Sequence, residues 1–320
     1  MIGRVLAALA IVGVVAVGAL AGMIAFGTKP APPPLASVSD PFKRIDYSDL
    51  PPIETFRARD GAALAYRSYP GTGARVAVLI HGSAGGSPGM HVLAKALQAA
   101  GVTVYAPDMR GHGASGPHGD IAYIGQLDDD LADLMQSIRV RHPQGAVSLI
   151  GFSAGGGFTL RVAGGPYGAL FDRYVAIAPA LCPGAPTCRP GGDSWVAVYV
   201  PRIIALRILG HLGVHWFEGL TVVAFAVQPG MENRLTAAYS ARLAASFKAH
   251  DDYVADIRQG SRPIAVLAGR ADELFYADRF AEVFHSVRAD IPVTIVPGLG
   301  HIDMITQPAA LAAVRSIILQ

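Results

Sequence analysis

Ser153 stands in Gly151-Phe152-Ser153-Ala154-Gly155, which ends the apolar run 147–152 and leads into a helical stretch from Phe158 to Val162. A G-x-S-x-G pentapeptide between a strand and a helix is a sharp turn that pushes the serine out at the end of a sheet. Glycines two residues to either side let the strand and helix backbones approach closely. The helix start behind the serine favours developing negative charge. A serine hydroxyl is a weak nucleophile, so it needs a base that is itself oriented by a third group.

His301 is the expected base. It lies in Pro297-Gly298-Leu299-Gly300-His301, after the last apolar run (293–296) and before the last helical one. The expected acid is Asp272, in Gly269-Arg270-Ala271-Asp272-Glu273, directly after the apolar run 263–268. Glu273 is one residue off the usual spacing, and Asp303 is too close to His301 in sequence to orient it well. Asp272 would hold the imidazole in one tautomer and stabilise the imidazolium without taking up a proton. Two backbone N–H groups are needed for a tetrahedral oxyanion. The expected donors are Ala154, next to the nucleophile, and Ser83, in His81-Gly82-Ser83-Ala84-Gly85-Gly86 after the run 75–80. His81 reads as structural. So does Asp108-Met109-Arg110-Gly111-His112-Gly113, as a tight loop beside the site, with His112 of interest only if His301 fails.

These residues need a sheet whose strand ends converge. Stretches 54–59 and 63–69, joined at Asp60-Gly61, read as a hairpin whose turn tolerates positive φ. Apolar strands at 75–80, 102–106, 147–152, 174–178, 264–268 and 293–296 alternate with helices such as 90–100 and 124–142. Continuous apolar strands separated by helices predict an α/β fold with a mostly parallel sheet covered on both faces. Asp128-Asp129-Asp130, near the start of the helix at 124–142, reads as a solvated N-terminal face and not as a metal site.

The chain has 320 residues and a formal net charge of +2, which is too small and too evenly spread to suggest a nucleic-acid partner. No internal repeat or heptad run is present. Residues 5–28 carry no charge. A run of roughly 22–24 such residues spans about 33–36 Å as a helix, enough to cross a bilayer core. Residues 1–28 therefore read as an uncleaved membrane anchor. The competing reading is a cleaved signal peptide, for which Ala19-Leu20-Ala21 would be the cut site. Residues 29–52 are rich in Pro, Ser and Ala and read as a semi-rigid spacer. Cys182 and Cys188 are the only cysteines. They read as a disulfide of an exported domain, with two free thiols as the alternative. Closing so short a loop would stabilise by about 2 kcal/mol. The bulk of the chain is thus expected outside the cytoplasm, tethered to a membrane.

His81-Gly82-Ser83, Asp108-x-Arg110-Gly111-His112-Gly113, Gly151-x-Ser153-x-Gly155, Gly269-x-x-Asp272 and Gly300-His301, in this order, resemble the α/β-hydrolase superfamily. Within it they are most similar to the lysophospholipase and monoacylglycerol-lipase-like serine hydrolases. The resemblance covers about residues 53–320. It implies carboxylic-ester hydrolysis through an acyl-enzyme on Ser153, with no metal or organic cofactor. A thioesterase and a proline-iminopeptidase-like peptidase are the alternatives among enzymes, and a non-catalytic binding protein on the same fold is the alternative of another class. Phe152 and Ala154 depart from the His and Met more frequent at those positions in the lipase subgroup, which leaves the substrate open. The resemblance also implies that the insertion between the two parts of the core (53–181 and 263–320) is a cap over the site. That insertion, residues 182–262, is rich in Val, Ile, Leu and aromatic residues. Pro201 and Gly210 are expected to break it into short helices. Part of its apolar surface would line an acyl pocket or touch the membrane, with a small-molecule or lipid ester as the partner.

Overall fold

The computed structural model of the chain describes residues 1–189, 195–228, 230–231 and 234–320. It opens with α1 (Ile2–Phe26), free of charge after Arg4 and exposed along most of its length, and α2 (Ala36–Lys43). The stretch that reads as a spacer is docked on the domain from α2 onward. Leu35, Val38 and Phe42 fall on one helical face and pack against the core. Further on, Asp49 accepts from Lys95 and bonds His91 at 3.1 Å.

The core runs β1 (Glu54–Arg57), β2 (Ala63–Tyr69), β3 (Val76–Ile80), α3 (His91–Gln98), β4 (Thr103–Pro107), α4 (Gln126–Arg141), β5 (Val147–Phe152), α5 (Ala154–Gly164) and β6 (Arg173–Ile177). An insertion follows: β7 (Val196–Val198), α6 (Val200–His211), β8 (Thr221–Phe225), β9 (Ala238–Ser240), α7 (Ala241–Ser246) and α8 (Tyr253–Gln259). The core then resumes with β10 (Ile264–Gly269), α9 (Arg279–His285), β11 (Val293–Val296) and α10 (Pro308–Leu319).

Eight strands form one sheet in the order β1-β2-β4-β3-β5-β6-β10-β11. Only β2 runs against its neighbours; all the other pairings are parallel. Every residue of β3, β4, β5 and β10 is buried, so both faces of the sheet's centre are covered. This burial explains why these strands read as unbroken apolar runs and not as alternating ones. The chain leaves β3 for β4 on one side and returns to β5 on the other. The loops after β3 and β5 therefore face each other across a topological switch point, where ligands of open α/β sheets bind.

Two expectations are revised. The insertion contains helices, but it also folds a three-stranded antiparallel sheet in the order β7-β8-β9. Val196, Val198, Val222, Val223 and Phe225, β-branched or aromatic, suit such a sheet. Pro201 does not break a helix: it lies in the first turn of α6, where its missing N–H leaves no bond unmade. Residues 190–194, 229, 232 and 233 of the insertion lie outside the described residues. The acidic run on α4 is also not a solvated face. Asp130 pairs with Arg110 at 2.7 Å, Asp128 with Arg161 at 3.0 Å and Asp129 with Arg59 at 2.8 Å. Burial raises the pKa values of Asp128 and Asp130 despite their arginine partners.

Candidate active site

Ser153 lies between β5 and α5 with φ 55° and ψ −116°, a left-handed conformation that a non-glycine residue adopts only under constraint. The constraint is visible in the two flanking glycines. A Cβ on Gly151 would fall 2.0 Å from the Gly155 carbonyl oxygen, and one on Gly155 would fall 2.4 Å from the His81 carbonyl oxygen. Ser153 N–H donates to Ile177 O at 2.9 Å, and Ser153 O accepts from Ala180 N–H at 2.9 Å, which fixes the turn to the end of β6. Among the described residues, the non-glycine positions with positive φ are Ala84, Ser153 and Ala178. All three lie just past the carboxyl ends of β3, β5 and β6, so backbone strain gathers at one place.

Asp272 and His301 meet there. His301 Nδ1 lies 2.8 Å from Asp272 Oδ2, and both side chains are buried. The other carboxylate oxygen of Asp272 accepts the N–H groups of Leu274 and Phe275, each at 2.9 Å. Burial alone would raise the pKa of Asp272. The charge and hydrogen bond of His301, together with the two backbone donors, outweigh it and hold the carboxyl below its ordinary value. A carboxylate fixed in this way accepts Nδ1–H and leaves Nε2 as the free basic nitrogen. The Phe152 ring lies 4.7 Å from the His301 ring, between centroids, which sets the imidazole beside the serine turn. Ser153 Oγ does not hydrogen-bond the imidazole in this conformation. Such contacts are commonly long or misaligned before substrate binds.

The competing acids take other work. Glu273 accepts the backbone N–H of His301 at 3.0 Å, and Asp303 accepts that of Gly300 at 2.9 Å. Both hold the histidine's loop and not its ring. The loop that bears Asp272 is held in turn by the disulfide-bonded segment. Cys182 and Cys188 are joined, with Cα atoms 5.8 Å apart. Tyr276 N–H donates to Thr187 O at 2.8 Å, and Arg189 donates to the carbonyls of Asp272 and Phe275 at 3.0 and 3.2 Å.

The loop after β3 folds over the serine: a Cβ on Gly82 would lie 3.3 Å from Ser153 Cβ. The N–H groups of Ser83 and Ala154 have no protein acceptor among the described residues. The next one, Ala84 N–H, is taken by Tyr239 Oη at 2.7 Å. Tyr239 belongs to β9 of the insertion, and its hydroxyl also lies 2.5 Å from His112 Nε2. Thr236 N–H donates to Ala84 O at 2.9 Å. Sequence reasoning missed Tyr239 because no local pattern marks it; the contact spans 155 residues. His81 and His112 are fully used in structure. His81 Nδ1 bonds Gly82 O at 2.8 Å and its Nε2 accepts Met109 N–H at 3.1 Å. Burial depresses the pKa values of both imidazoles, so both are neutral. Asp108 staples the loops after β3 and β4 by accepting Ser87 N–H at 2.6 Å and Ala114 N–H at 2.9 Å. Among the described residues no group of three or more His, Cys, Asp or Glu is placed to hold a metal.

Residues 73–305 match the family described as serine aminopeptidase, S33. The chain belongs to that family, and its fold is that of the α/β-hydrolases. Solved structures similar to this S33 chain include a putative aryl esterase from Burkholderia cenocepacia. It is 20% identical, covering 84% of this chain and 98% of that one, with a TM-score of 0.60. A monoacylglycerol lipase from Paleococcus ferrophilus is 18% identical over 80% of this chain and 97% of its own, with a TM-score of 0.57. A thioesterase domain from the curacin biosynthetic pathway is 16% identical over 84% and 99%, with a TM-score of 0.53. At these identities the likeness is one of fold. Among curated proteins, none matches the sequence.

Proposed function

We propose that the chain is a serine hydrolase that cleaves carboxylic esters through an acyl-enzyme on Ser153. The observation that carries this reading is the buried Asp272–His301 hydrogen bond beside the strained turn that presents Ser153. In this scheme Ser153 Oγ attacks the ester carbonyl while His301 Nε2 takes its proton. Asp272 keeps Nδ1 protonated and stabilises the imidazolium. The tetrahedral oxyanion is received by Ser83 N–H and Ala154 N–H, which are free for that purpose and preorganised by the turn and by the start of α5. Collapse breaks the ester C–O bond, and His301 protonates the departing alcohol. A water then gives a proton to His301 and attacks the acyl carbonyl; collapse breaks the acyl C–Oγ bond, releases the acid, and returns the proton from His301 to Ser153 Oγ.

The substrate class we propose is an apolar acyl or lipid-like ester, in the manner of the lysophospholipase and monoacylglycerol-lipase-like group. Support comes from the apolar insertion, whose β9 touches the loop after β3, so that residues 182–262 act as a cap. α1 is read as the anchor, and the Cys182–Cys188 disulfide supports an extracytoplasmic catalytic domain. A panel of acyl esters, acyl thioesters and aminoacyl amides tests the reading. Esters should be turned over fastest, and Ser153→Ala should abolish turnover of a short p-nitrophenyl ester with the fold intact by circular dichroism. A preference for thioesters or amides would move the chain to the thioesterase or peptidase alternatives, and activity retained by Ser153→Ala would sink the assignment.

A further inference from the structure

The C-terminal end of α1 does not stand free of the domain; it packs on α6. Leu20, Met23 and Ile24 of α1 are partly buried there, and Arg202 of α6 donates to the Ile24 carbonyl at 2.8 Å. Gly27 lies so close that a Cβ on it would be 3.0 Å from Arg202 N. α1 has 25 residues. At 1.5 Å per residue it is about 37 Å long, some 7 Å more than a bilayer's hydrocarbon core of about 30 Å. With the charged Arg4 at the opposite surface, about 20 residues counted from Val5 fill that core, so the helix leaves it near Ile24, whose carbonyl Arg202 of α6 holds.

The outer side of α6 is apolar. Val200, Ile204, Ile208 and Leu212 recur every four residues and so form one stripe. They are exposed, and Trp216 and Phe217 extend the stripe beyond the helix end; Trp216 is 87% exposed. A contiguous exposed apolar surface of this kind marks an interaction site, for another protein or for a membrane. A stripe of this kind, ending in tryptophan and carrying Arg207 and His211 on the same helix, has the composition of an interfacial helix.

We propose that this face of the insertion lies in the interfacial layer of the phospholipid bilayer that α1 enters, so that the domain is held against the membrane by α6 as well as tethered by α1. The proposal rests on the reading of α1 as an uncleaved anchor. Its consequence follows from connectivity. α6 is bonded to β8 through Tyr199 N–H to Val222 O at 2.8 Å and Arg202 to Thr221 O at 2.7 Å. β8 pairs with β9, which carries Tyr239 to the loop over Ser153. The part of the insertion that touches lipid and the part that touches the site are thus one small sheet-and-helix unit, suited to esters that reach the site from the bilayer.

The full-length chain reconstituted in phosphatidylcholine/phosphatidylglycerol vesicles gives the test. Trp195→Phe leaves Trp216 as the only tryptophan, and the difference between the wild type and Trp216→Phe gives the same readout with Trp195 in place. Lipids brominated near the top of the acyl chains should lower Trp216 emission about twofold and leave it poorly accessible to aqueous iodide. Full emission with iodide quenching would overturn the proposal. A control probe, Val12→Trp in the Trp195→Phe/Trp216→Phe background, reports on α1. If that probe is quenched by bromines deep in the bilayer while Trp216 is not, the anchor stands and the docking of α6 falls. If neither is quenched, both fall.

Discussion

Asp272 has three donors around two oxygens, and each constrains its partner. Leu274 and Phe275 N–H fix one oxygen, so the other has a single direction in which to receive His301 Nδ1–H. An asparagine there presents an amide that can hold the opposite tautomer and cannot stabilise an imidazolium. Asp272→Asn should therefore lower kcat by about 10⁴-fold with KM nearly unchanged. Glu273→Gln, which alters only a backbone contact, should cost far less in the same steady-state assay. Equal losses in the two variants would contradict the assignment of the acid. The pairing of Asp272 with His301 is legible in sequence because each follows a strand by a few residues, and strand ends converge in a parallel sheet. Glu273 and Asp303 are not distinguishable as loop braces from sequence, since their oxygens are taken by backbone N–H groups that no side-chain pattern reveals.

The element that sequence reading underestimates is the insertion. Its apolar composition suggests short helices, yet β7, β8 and β9 pair across tens of residues, and nothing local in Val196–Val198 or Ala238–Ser240 announces those partners. Tyr239 is the product of that pairing. Its O–H donates to the neutral His112 Nε2 while its oxygen accepts Ala84 N–H, so the loop bearing Ser83 N–H is braced from the insertion. We expect Tyr239 to be a positioning residue. Tyr239→Phe removes the acceptor and should lower kcat about tenfold with little change in KM, a milder loss than removal of an oxyanion donor itself. Steady-state kinetics on a p-nitrophenyl ester checks this, and an unchanged kcat would show that the loop holds its shape without the brace.

Across the whole molecule the main layers of the fold are legible, because fully buried strands leave unbroken apolar runs that flank recognisable turns. Two features are not: the docking of α2 through Leu35, Val38 and Phe42, and the placement of His81 and His112 as neutral imidazoles meeting edge to face with ring centroids 4.8 Å apart. The histidines have a consequence for stability. Burial holds their folded pKa values below the unfolded value of about 6.5, so the unfolded chain takes up protons first. Stability is then full above about pH 6.5 and is lost below it, by up to ~1.4 kcal/mol per pH unit for each imidazole. Thermal unfolding in detergent should show a melting temperature that falls between about pH 7 and 5, with a shallower fall in His112→Gln; a flat profile would contradict the burial of neutral imidazoles. In the proposed mechanism Ser153 is an activated nucleophile. Reaction with a fluorophosphonate followed by peptide mass spectrometry measures it directly. One stoichiometric adduct is expected, on Ser153, absent from Ser153→Ala and greatly slowed in His301→Ala. No adduct, or an adduct elsewhere that persists in Ser153→Ala, would contradict that mechanism.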